Sequence, residues 1–374
     1  MDWQSHAGHL AEETVRTDSR WYTPLAETPR HPFVPRWWEN RGGGWDLRDG
    51  SSDVEAWMRA AYSNTSLVTR VGTLHADDAE PGRRAEGVPT SSSTLPSLVV
   101  RMYRHARITD GSKVLVTTGS GYGTALACRR LGDRNITSVD VDEYLVKAAG
   151  ERLASEGFNP DMAVCDITGD LPGTYDRIVS TVSVRPIPVS WLAALKPGGR
   201  MVTTIADTGL VITADKTDDG GAVGRVEWDR AGFMVTRHSD DYAPLLEPLY
   251  LAARDEDGDE IGMGRYPVLN VPEAWEVWSM LALAVPGIEY RTMKADGRMT
   301  LWMLHADGSW ARATGGFDEP PRVHQSGPRR LWNELERVRR RQLLEGSLPV
   351  HGAKVTITPS GETTLTRGRW STTL

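Results

Sequence analysis

The stretch VLVTTGSGYGTALAC, residues 114–128, decides the fold. Its first five residues, 114–118, are apolar or β-branched and include no turn former, which predicts a strand buried on both faces. Glycines follow at positions 119, 121 and 123, and a helical pattern begins at 125–127. A strand that ends in glycines and continues as a helix leaves backbone N–H groups open to a ligand. The stretch therefore predicts a nucleotide-binding turn of an α/β sheet, with the ligand beyond the carboxyl ends of the strands.

The spacing of the glycines narrows the choice of ligand. A dinucleotide fingerprint needs a third glycine where this chain has Thr124, and a phosphate loop needs a lysine that is missing near the turn. Alternate glycines suit a ligand without phosphates whose amino-acid end lies along the turn, as in S-adenosylmethionine (SAM) enzymes. A tight strand–helix turn that binds nothing is the structural alternative.

Acidic residues follow the next two predicted strands. Asp140 ends the strand at 135–139, where this architecture places the acid that binds ribose hydroxyls. Asp166 follows the short strand at 162–164, in the position of an adenine contact. Each acid alone could cap a helix or face solvent. Together with the glycine turn they predict a SAM site on a Rossmann-like, doubly wound α/β sheet. Two further strands of that sheet are predicted at 175–182 and 200–205.

Composition excludes several classes of protein. A formal net charge of −7 provides no basic field for nucleic acid or for an anionic membrane surface. Two cysteines form neither a disulfide framework nor a metal cluster and fit a reducing compartment. Because an 18-residue apolar run and a signal-peptide pattern are missing, we expect a cytoplasmic chain that contacts no membrane.

The length of 374 residues is long for one domain and allows three regions. Residues 1–90 predict an N-terminal helical and lid segment of the catalytic domain, with helices near 9–17 and 54–62 and a mobile polar loop at 77–89. Residues 91–245 form the predicted SAM-binding core. Residues 246–374 predict a β-rich domain.

Hydroxyl-bearing residues precede a predicted helix of the core. The run SSSTLP, residues 91–96, leads into a helix with Pro96 at its first position. Ser92, Ser93 and Thr94 could cap that helix, or their hydroxyls could bind the carboxylate of a substrate.

The order of the motifs resembles the protein-L-isoaspartate O-methyltransferases. The motifs are TLP…LVVRMY, VLVTTGSGYGTALA, SVDVDEYLV, CDITG, YDRIVSTVSVRPIP and LKPGGRMVTTI. PRHPFVP at 29–35 and YAPL at 242–245 resemble flanking segments of the family, so the resemblance covers about residues 20–245. It implies a carboxyl methyltransferase that uses SAM and releases S-adenosylhomocysteine.

The resemblance also implies the site residues. The glycine turn cradles SAM, the acid after the second strand takes the ribose, and the residues after the third strand meet the adenine. The implied cofactor contacts are Thr118, Gly119, Ser120, Gly121, Tyr122, Asp140, Val141, Asp166, Ile167 and Thr181. The implied acceptor-binding residues are Ser92, Ser93 and Thr94.

The chain departs from the family pattern at two places. The family carries a serine near the substrate carboxylate where this chain has Thr94, which keeps the hydroxyl and adds a methyl group. SAM enzymes commonly carry an acid before the glycines, whereas residues 115–118 here are Leu-Val-Thr-Thr. The second departure leaves open how the amino group of SAM is held.

The chemistry favours O-methylation of a carboxylate. A carboxylate is ionised at neutral pH and needs no general base. The missing His/Asp or Cys/His arrangement is therefore consistent with this reaction. The protein has only to align the reacting atoms and exclude water, which contributes at most about 7–11 kcal/mol.

The C-terminal region suggests a specialised substrate. It contains Asp-Gly turn signals at 296–297 and 307–308, a helix at 331–344 and a hairpin at 355–366. We expect repair-type enzymes to lack this region, and we expect it to serve substrate recognition or dimerisation.

Three functional hypotheses follow from the sequence. The first is methylation of an aspartate in a ribosomally synthesised, cyclised peptide of the lanthipeptide or graspetide kind, leading through a succinimide to isoaspartate. The second is repair of isoaspartyl proteins. The third is a non-catalytic SAM-binding partner module.

Overall fold

We describe the protein from a computed structural model that covers residues 2–238 and 246–374. The strands in these ranges form three sheets, of six, ten and five strands. The YAPL motif at 242–245 lies outside the described residues. No helix in the described ranges combines the length and the apolar character that crossing a bilayer requires.

The N-terminal segment contains a sheet that the sequence does not predict. Its helices are α1 (Trp3–Thr14), α2 (Tyr22–Glu27) and α3 (Val54–Ala61). Its strands are β1 (Arg36–Arg41), β2 (Gly44–Asp49), β3 (Leu67–Val71), β4 (Leu74–His75), β5 (Arg84–Ala85) and β6 (Pro89–Ser93). They pair antiparallel in the order β4-β3-β1-β2-β5, and β6 pairs with β3.

These strands are hard to recognise because they are short and mostly polar. The β1–β2 hairpin closes through Gly42 and Gly43, whose φ angles of 55° and 82° suit glycine. The stretch 77–89, expected as a mobile loop, contributes β5 to the sheet. It is also anchored by Arg36, which donates to the carbonyls of Asp77 and Ala79 at 2.8 and 2.6 Å.

The central sheet is doubly wound, as predicted. Its helices are α4 (Pro96–His105), α5 (Tyr122–Leu131), α6 (Glu143–Ser155) and α7 (Val189–Ala194). Its first strands are β7 (Val114–Thr117), β8 (Ile136–Asp140), β9 (Asp161–Val164), β10 (Tyr175–Val184), β11 (Leu195–Ile205), β12 (Leu210–Lys216) and β13 (Ala222–Arg230). Strands β9, β8, β7, β10 and β11 are parallel neighbours in that order. The strand order reverses between β7 and β10, which is where α/β sheets bind ligands.

Both faces of the central sheet are buried. Val114 and Val116 of β7 pack into one hydrophobic cluster, with α4 and α5. Leu115 points the other way, into a second cluster that continues into the C-terminal region. This burial explains why β7 is an unbroken apolar run rather than an alternating one.

The C-terminal region is β-rich, as predicted, but its strands belong to two sheets. Its helices are α8 (Glu247–Asp255), α9 (Trp275–Ala284) and α10 (Leu331–Glu345). Its strands are β14 (Glu260–Met263), β15 (Glu289–Ala295), β16 (Arg298–Leu304), β17 (Trp310–Gly316), β18 (Arg322–Ser326), β19 (Lys354–Ile357), β20 (Thr363–Arg367) and β21 (Trp370–Thr373). Strands β14–β18 form the five-stranded sheet, whereas β19 pairs with β13, so that β19–β21 extend the central sheet.

The predicted hairpins are confirmed. Asp296 and Gly297 join β15 to β16 with φ angles of 50° and 69°, the pair of positive values that a tight hairpin turn requires. The turn at 305–309 joins β16 to β17, and β19 pairs with β20.

Helix α9 packs tightly on the loop between β11 and β12. The rings of Trp275 and Trp278 cover Gly209, and Ser279 Oγ donates to the Thr208 carbonyl at 2.5 Å. A Cβ atom at position 209 would lie 2.5 Å from Trp275 Cζ3. The C-terminal region and the central sheet therefore share a close-packed junction.

This junction gives a stability prediction. Gly209→Ala should lower the free energy of unfolding by about 1–3 kcal/mol more than Gly111→Ala does, because only position 209 is overpacked. Gly111 is the matched control, since its φ of 79° resembles the 65° of Gly209 and a Cβ there meets nothing within 4 Å. Urea unfolding of both variants measures the difference. Equal losses of stability would contradict the packing argument.

Candidate active site

The hydroxyl run before α4 forms the end of strand β6. Residues Ser92 and Ser93 pair with Val68 and Leu67 of β3. Ser92 and Thr94 border both cavities described below. Ser93, whose side chain is buried, borders the smaller cavity, and its Oγ lies 3.4 Å from Arg30 Nη2. The alternation of a strand thus presents Ser92 and Thr94 on one side and turns the Ser93 hydroxyl to the other.

The helix-capping explanation of this run is wrong. The N-cap residue of α4 is Leu95, and its side chain makes no capping hydrogen bond. The caps come from the loop after α3: Ser66 Oγ accepts the N–H of Leu95 at 3.0 Å, and Asn64 Oδ1 accepts the N–H of Ser97 at 3.1 Å. The hydroxyls of Ser92 and Thr94 therefore have no capping role at α4.

The glycine turn joins β7 to α5 and lies against β6. Gly119 has a φ of 50°, and a Cβ atom there would lie 3.4 Å from the carbonyl oxygen of Ser92. Gly121 is the N-cap of α5 with a φ of 92°, and a Cβ there would come 2.9 Å from the Ala149 methyl. The turn therefore requires glycine at 119 for its conformation and at 121 also for packing.

Asp140 ends β8 beside this turn. Its Oδ2 accepts the N–H of Gly119 at 3.0 Å, and its Oδ1 accepts the N–H of Asp142 at 3.2 Å. Burial raises the pKa of Asp140, although these two hydrogen bonds act in the opposite direction. Asp140 and Val141 both border the larger cavity. An acid held in this way can accept hydrogen bonds from ribose hydroxyls.

Two adjoining cavities meet at the reversal of strand order. They share five lining residues: Ser92, Thr94, Thr117, Gly119 and Thr181. The larger cavity extends along the ends of β8 and β9, and the smaller one extends behind the glycine turn, where Thr118, Ser120 and Tyr122 line it.

A pair of hydroxyls stands between β7 and β10. Thr117 Oγ1 lies 2.6 Å from Thr181 Oγ1 and accepts the N–H of Thr181 at 2.9 Å. The residues that line the smaller cavity include several hydroxyls and no carboxylate among the described residues. Oxygen acceptors for the amino group of a ligand are therefore hydroxyls and carbonyls, in place of the acid that the sequence lacks.

Unlike Asp140, Asp166 does not line either cavity. Burial alone would raise the pKa of Asp166, but hydrogen bonds from His238 Nδ1, at 2.6 Å, and from Thr168 outweigh it and lower that pKa. The cavity wall at this strand is formed by Cys165 and Ile167, and it does not include Asp166. The structure therefore brings Ile167 to the site and leaves the Asp166 carboxylate paired outside it.

One wall of the larger cavity has no motif in the sequence. Residues 232–237 line it. Ser183 holds this segment: its N–H donates to the Met234 carbonyl at 2.8 Å, and its carbonyl accepts the N–H of Thr236 at 2.9 Å. The short apolar run FMV, 233–235, is the one signal that could have indicated an extended segment here.

An orphaned polar atom tests whether these residues fit SAM. The Tyr122 ring is 1% exposed, and its hydroxyl has no hydrogen-bond partner among the described residues. Because Tyr122 lines the smaller cavity, a polar group of a ligand there would satisfy that hydroxyl. The Asp140 carboxylate can accept hydrogen bonds from the ribose of SAM. The open glycine turn and the Tyr122 hydroxyl suit the amino-acid part of SAM.

A doubly wound sheet with this turn, this acid and a ligand cavity at the strand reversal defines a SAM-dependent methyltransferase. Comparison with known proteins extends this assignment. The family model described as protein-L-isoaspartate(D-aspartate) O-methyltransferase matches residues 80–231. A protein-L-isoaspartate O-methyltransferase of Methanosarcina mazei is 32% identical over 214 residues, 56% of this chain and 72% of that protein. The chain belongs to the protein-L-isoaspartate O-methyltransferase family, and it is an enzyme that uses SAM.

Further relatives agree with this assignment. Protein-L-isoaspartate O-methyltransferase 2 of Archaeoglobus fulgidus is 24% identical over 245 residues, 63% of this chain and 95% of that protein. A solved structure of a protein-L-isoaspartate O-methyltransferase has a TM-score of 0.52 and 17% identity, covering 97% of this chain and 99% of that one. That likeness of fold includes the C-terminal region. The expectation that enzymes of this name lack such a region is therefore wrong.

The position of Asp140 gives a binding prediction. Asp140→Ala should weaken SAM binding by about tenfold to hundredfold, because a charged hydrogen-bond acceptor is lost. Titration calorimetry with SAM measures the dissociation constant. Asp161→Ala is the matched control, since Asp161 is an exposed acid at the opposite end of the neighbouring strand β9. Unchanged SAM affinity in Asp140→Ala would contradict the assignment.

Proposed function

We propose that the protein methylates the free carboxylate of L-isoaspartyl residues in peptides or proteins, with SAM as the methyl donor. Membership of the family carries this proposal. The site supports it, because the acceptor hydroxyls of Ser92 and Thr94 border the same cavities as the glycine turn.

The chemistry of the cavity suits a carboxylate acceptor. The described lining residues of the two cavities include no histidine and no lysine that could act as a general base. An ionised carboxylate oxygen attacks the methyl carbon without losing a proton, so no base is needed. An amine acceptor is protonated at neutral pH and would need a base to remove that proton.

Each side of the cavity has a separate role in the proposed reaction. The glycine turn, Asp140 and Tyr122 hold the donor, which supplies the methyl group when bound. Ser92 and Thr94 donate hydrogen bonds to the acceptor carboxylate and orient it. Segment 232–237 forms a further wall of the larger cavity, and alignment of the reacting atoms is the main contribution of the protein to the rate.

The methyl ester formed in the proposed reaction is more reactive than the original carboxylate. A carboxylate oxygen is a poor leaving group, and methylation converts it into the methoxy group of an ester, which leaves more easily. The next backbone nitrogen attacks that ester and expels methanol, giving a succinimide. Water then opens the ring to aspartate or isoaspartate.

A second candidate acceptor is an aspartate in a ribosomally synthesised, cyclised peptide. Thr94 favours this candidate. Where the family has a serine, the extra methyl group of Thr94 narrows the part of the cavity that would hold the methyl acceptor. The C-terminal region does not discriminate between the two candidates, since a solved enzyme named for isoaspartate shares the fold over 97% of this chain. Isoaspartyl acceptors are therefore the better supported class.

A parallel assay separates the two acceptors. The enzyme is incubated with methyl-labelled SAM and either an isoaspartyl peptide or a ring-constrained aspartyl peptide of equal length. We expect base-labile methyl ester on the isoaspartyl peptide. Turnover of only the ring-constrained peptide would overturn the proposal in favour of the tailoring reaction. Tight SAM binding with no methylation of any carboxylate would favour a non-catalytic module.

The hydroxyl of Thr94 gives a kinetic prediction. Thr94→Val keeps the shape of the side chain and removes the donor, so kcat/KM for the isoaspartyl peptide should fall by about tenfold or more. SAM affinity, measured by calorimetry, should stay within about twofold. Thr69→Val is the control, because Thr69 donates at 3.1 Å to Ser91 on the same sheet and lies outside both cavity linings. Equal kinetic losses in both variants would refute the role of Thr94.

A further inference from the structure

Arg30, in the segment PRHPFVP at 29–35, is a fully buried cation beside the acceptor strand. Its guanidinium donates to backbone carbonyls from two parts of the chain. The acceptors are Ala61 at 3.1 Å, Ser63 at 2.8 Å, Thr65 at 2.8 Å, Ser93 at 3.1 Å and Thr94 at 3.3 Å. Arg30 thus ties the loop that caps α4 to the strand that carries the acceptor hydroxyls.

Within the part of the chain that the structure describes, no carboxylate balances the charge on Arg30. Burial lowers the pKa of Arg30 to about 10, which leaves the guanidinium protonated at neutral pH. Its described neighbours are carbonyl dipoles and the ring of Tyr122, whose centroid lies 5.6 Å from Arg30 Cζ, and no ion pair with an acid is present in residues 2–238 or 246–374. A buried charge without a counter-ion is rare in proteins. The strand end that carries Ser93 and Thr94 therefore lies against a buried cation whose described partners are backbone dipoles.

The hydrogen bonds of Arg30 also fix the direction of a peptide unit. In a planar trans peptide the C=O and N–H groups point in opposite directions. The Ser93 carbonyl points at Arg30, so the N–H of Thr94 points away from Arg30, and Thr94 itself borders both cavities. The next N–H, that of Leu95, is already bonded to Ser66 Oγ.

We infer that Arg30 is a positioning residue for the acceptor carboxylate. It turns the Ser93–Thr94 peptide so that the Thr94 N–H can bind a carboxylate oxygen beside the Thr94 hydroxyl, and its unbalanced charge selects an anionic group there. This inference rests on the proposed function, because it concerns the acceptor of that reaction. It predicts that recognition depends on the charge of the acceptor and not only on its shape.

Binding of two peptides tests the inference. One peptide contains isoaspartate, and the other is identical but carries the neutral amide, isoasparagine. Calorimetry with the S-adenosylhomocysteine-bound enzyme gives both dissociation constants. We expect the wild-type protein to prefer the carboxylate peptide by at least about tenfold. A wild-type protein that binds both peptides equally would overturn the inference.

Two variants separate charge from structure. Arg30→Met should reduce the preference for the carboxylate peptide by about tenfold while SAM affinity stays within about twofold. Arg30→Lys, which keeps the charge with fewer donors, should retain an intermediate preference. Equal losses of affinity for both peptides, in either variant, would mean that Arg30 is only structural. If Arg30→Met does not fold, Arg30→Lys and the wild-type preference still decide the question.

Arg36→Met provides the matched control. Arg36 comes from the neighbouring stretch and also binds backbone carbonyls, those of Asp77 and Ala79, but it lies outside both cavity linings. It should lose stability in urea without any change in the preference between the peptides. Failure of the proposed function is recognised separately, because the wild-type protein would then transfer no methyl group to the isoaspartyl peptide.

Discussion

The reversal of strand order between β7 and β10 is the constraint on which the site depends. Where the connections that follow two adjacent parallel strands run in opposite directions, a crevice opens at the carboxyl edge of the sheet. In this protein the crevice is bordered by Thr117 at the end of β7 and Thr181 in β10. Asp140 stands one strand further along. The residues proposed to bind the cofactor are therefore brought together by the topology of the sheet.

The acceptor side is built by a different kind of interaction, a network of buried polar groups in the N-terminal sheet. Strand β3 pairs with β6, and Arg30 holds the end of β6 through its carbonyls. The same strand β3 contributes Arg70, whose guanidinium lies 3.0 Å from the Asp142 carboxylate, two residues after Asp140, the proposed ribose-binding acid. One strand thus supports the acceptor hydroxyls and the donor loop together. A shift of the N-terminal sheet would disturb both substrates at once.

The sequence predicts the parts of the site that are local. A buried strand, a glycine turn and a helix follow one another without long-range help, and Asp140 lies where the parallel strand β8 ends. The acceptor hydroxyls could be named, but not their setting, since Ser66 and Asn64 cap α4 from 29 and 33 positions away. The partners of Arg30 lie 31–64 positions from it, and no local pattern distinguishes that arginine from an exposed one.

Contacts between distant parts of the chain also explain why the Asp140 carboxylate faces the cavity whereas the Asp166 carboxylate is paired with His238. Both acids follow strands of one sheet, and their local patterns are alike. His238, 72 positions further along the chain, engages the Asp166 carboxylate, whereas the hydrogen bonds to the two Asp140 oxygens come from the backbone N–H groups of Gly119 and Asp142. A carboxylate oxygen that accepts one backbone hydrogen bond keeps a lone pair for a ligand.

The C-terminal region belongs to this framework more closely than its place at the end of the chain suggests. Strands β19–β21 continue the central sheet, and helix α9 binds the loop after β10, where Arg185 donates to the carbonyls of Ala282 and Leu283 at 3.0 and 3.3 Å. Because β10 also carries Thr181 and Val182 of the cavity wall, contacts made by the C-terminal region bear directly on the carboxyl edge of the sheet. The region therefore completes the support of the catalytic edge, and any part it takes in choosing a peptide must be compatible with that structural role.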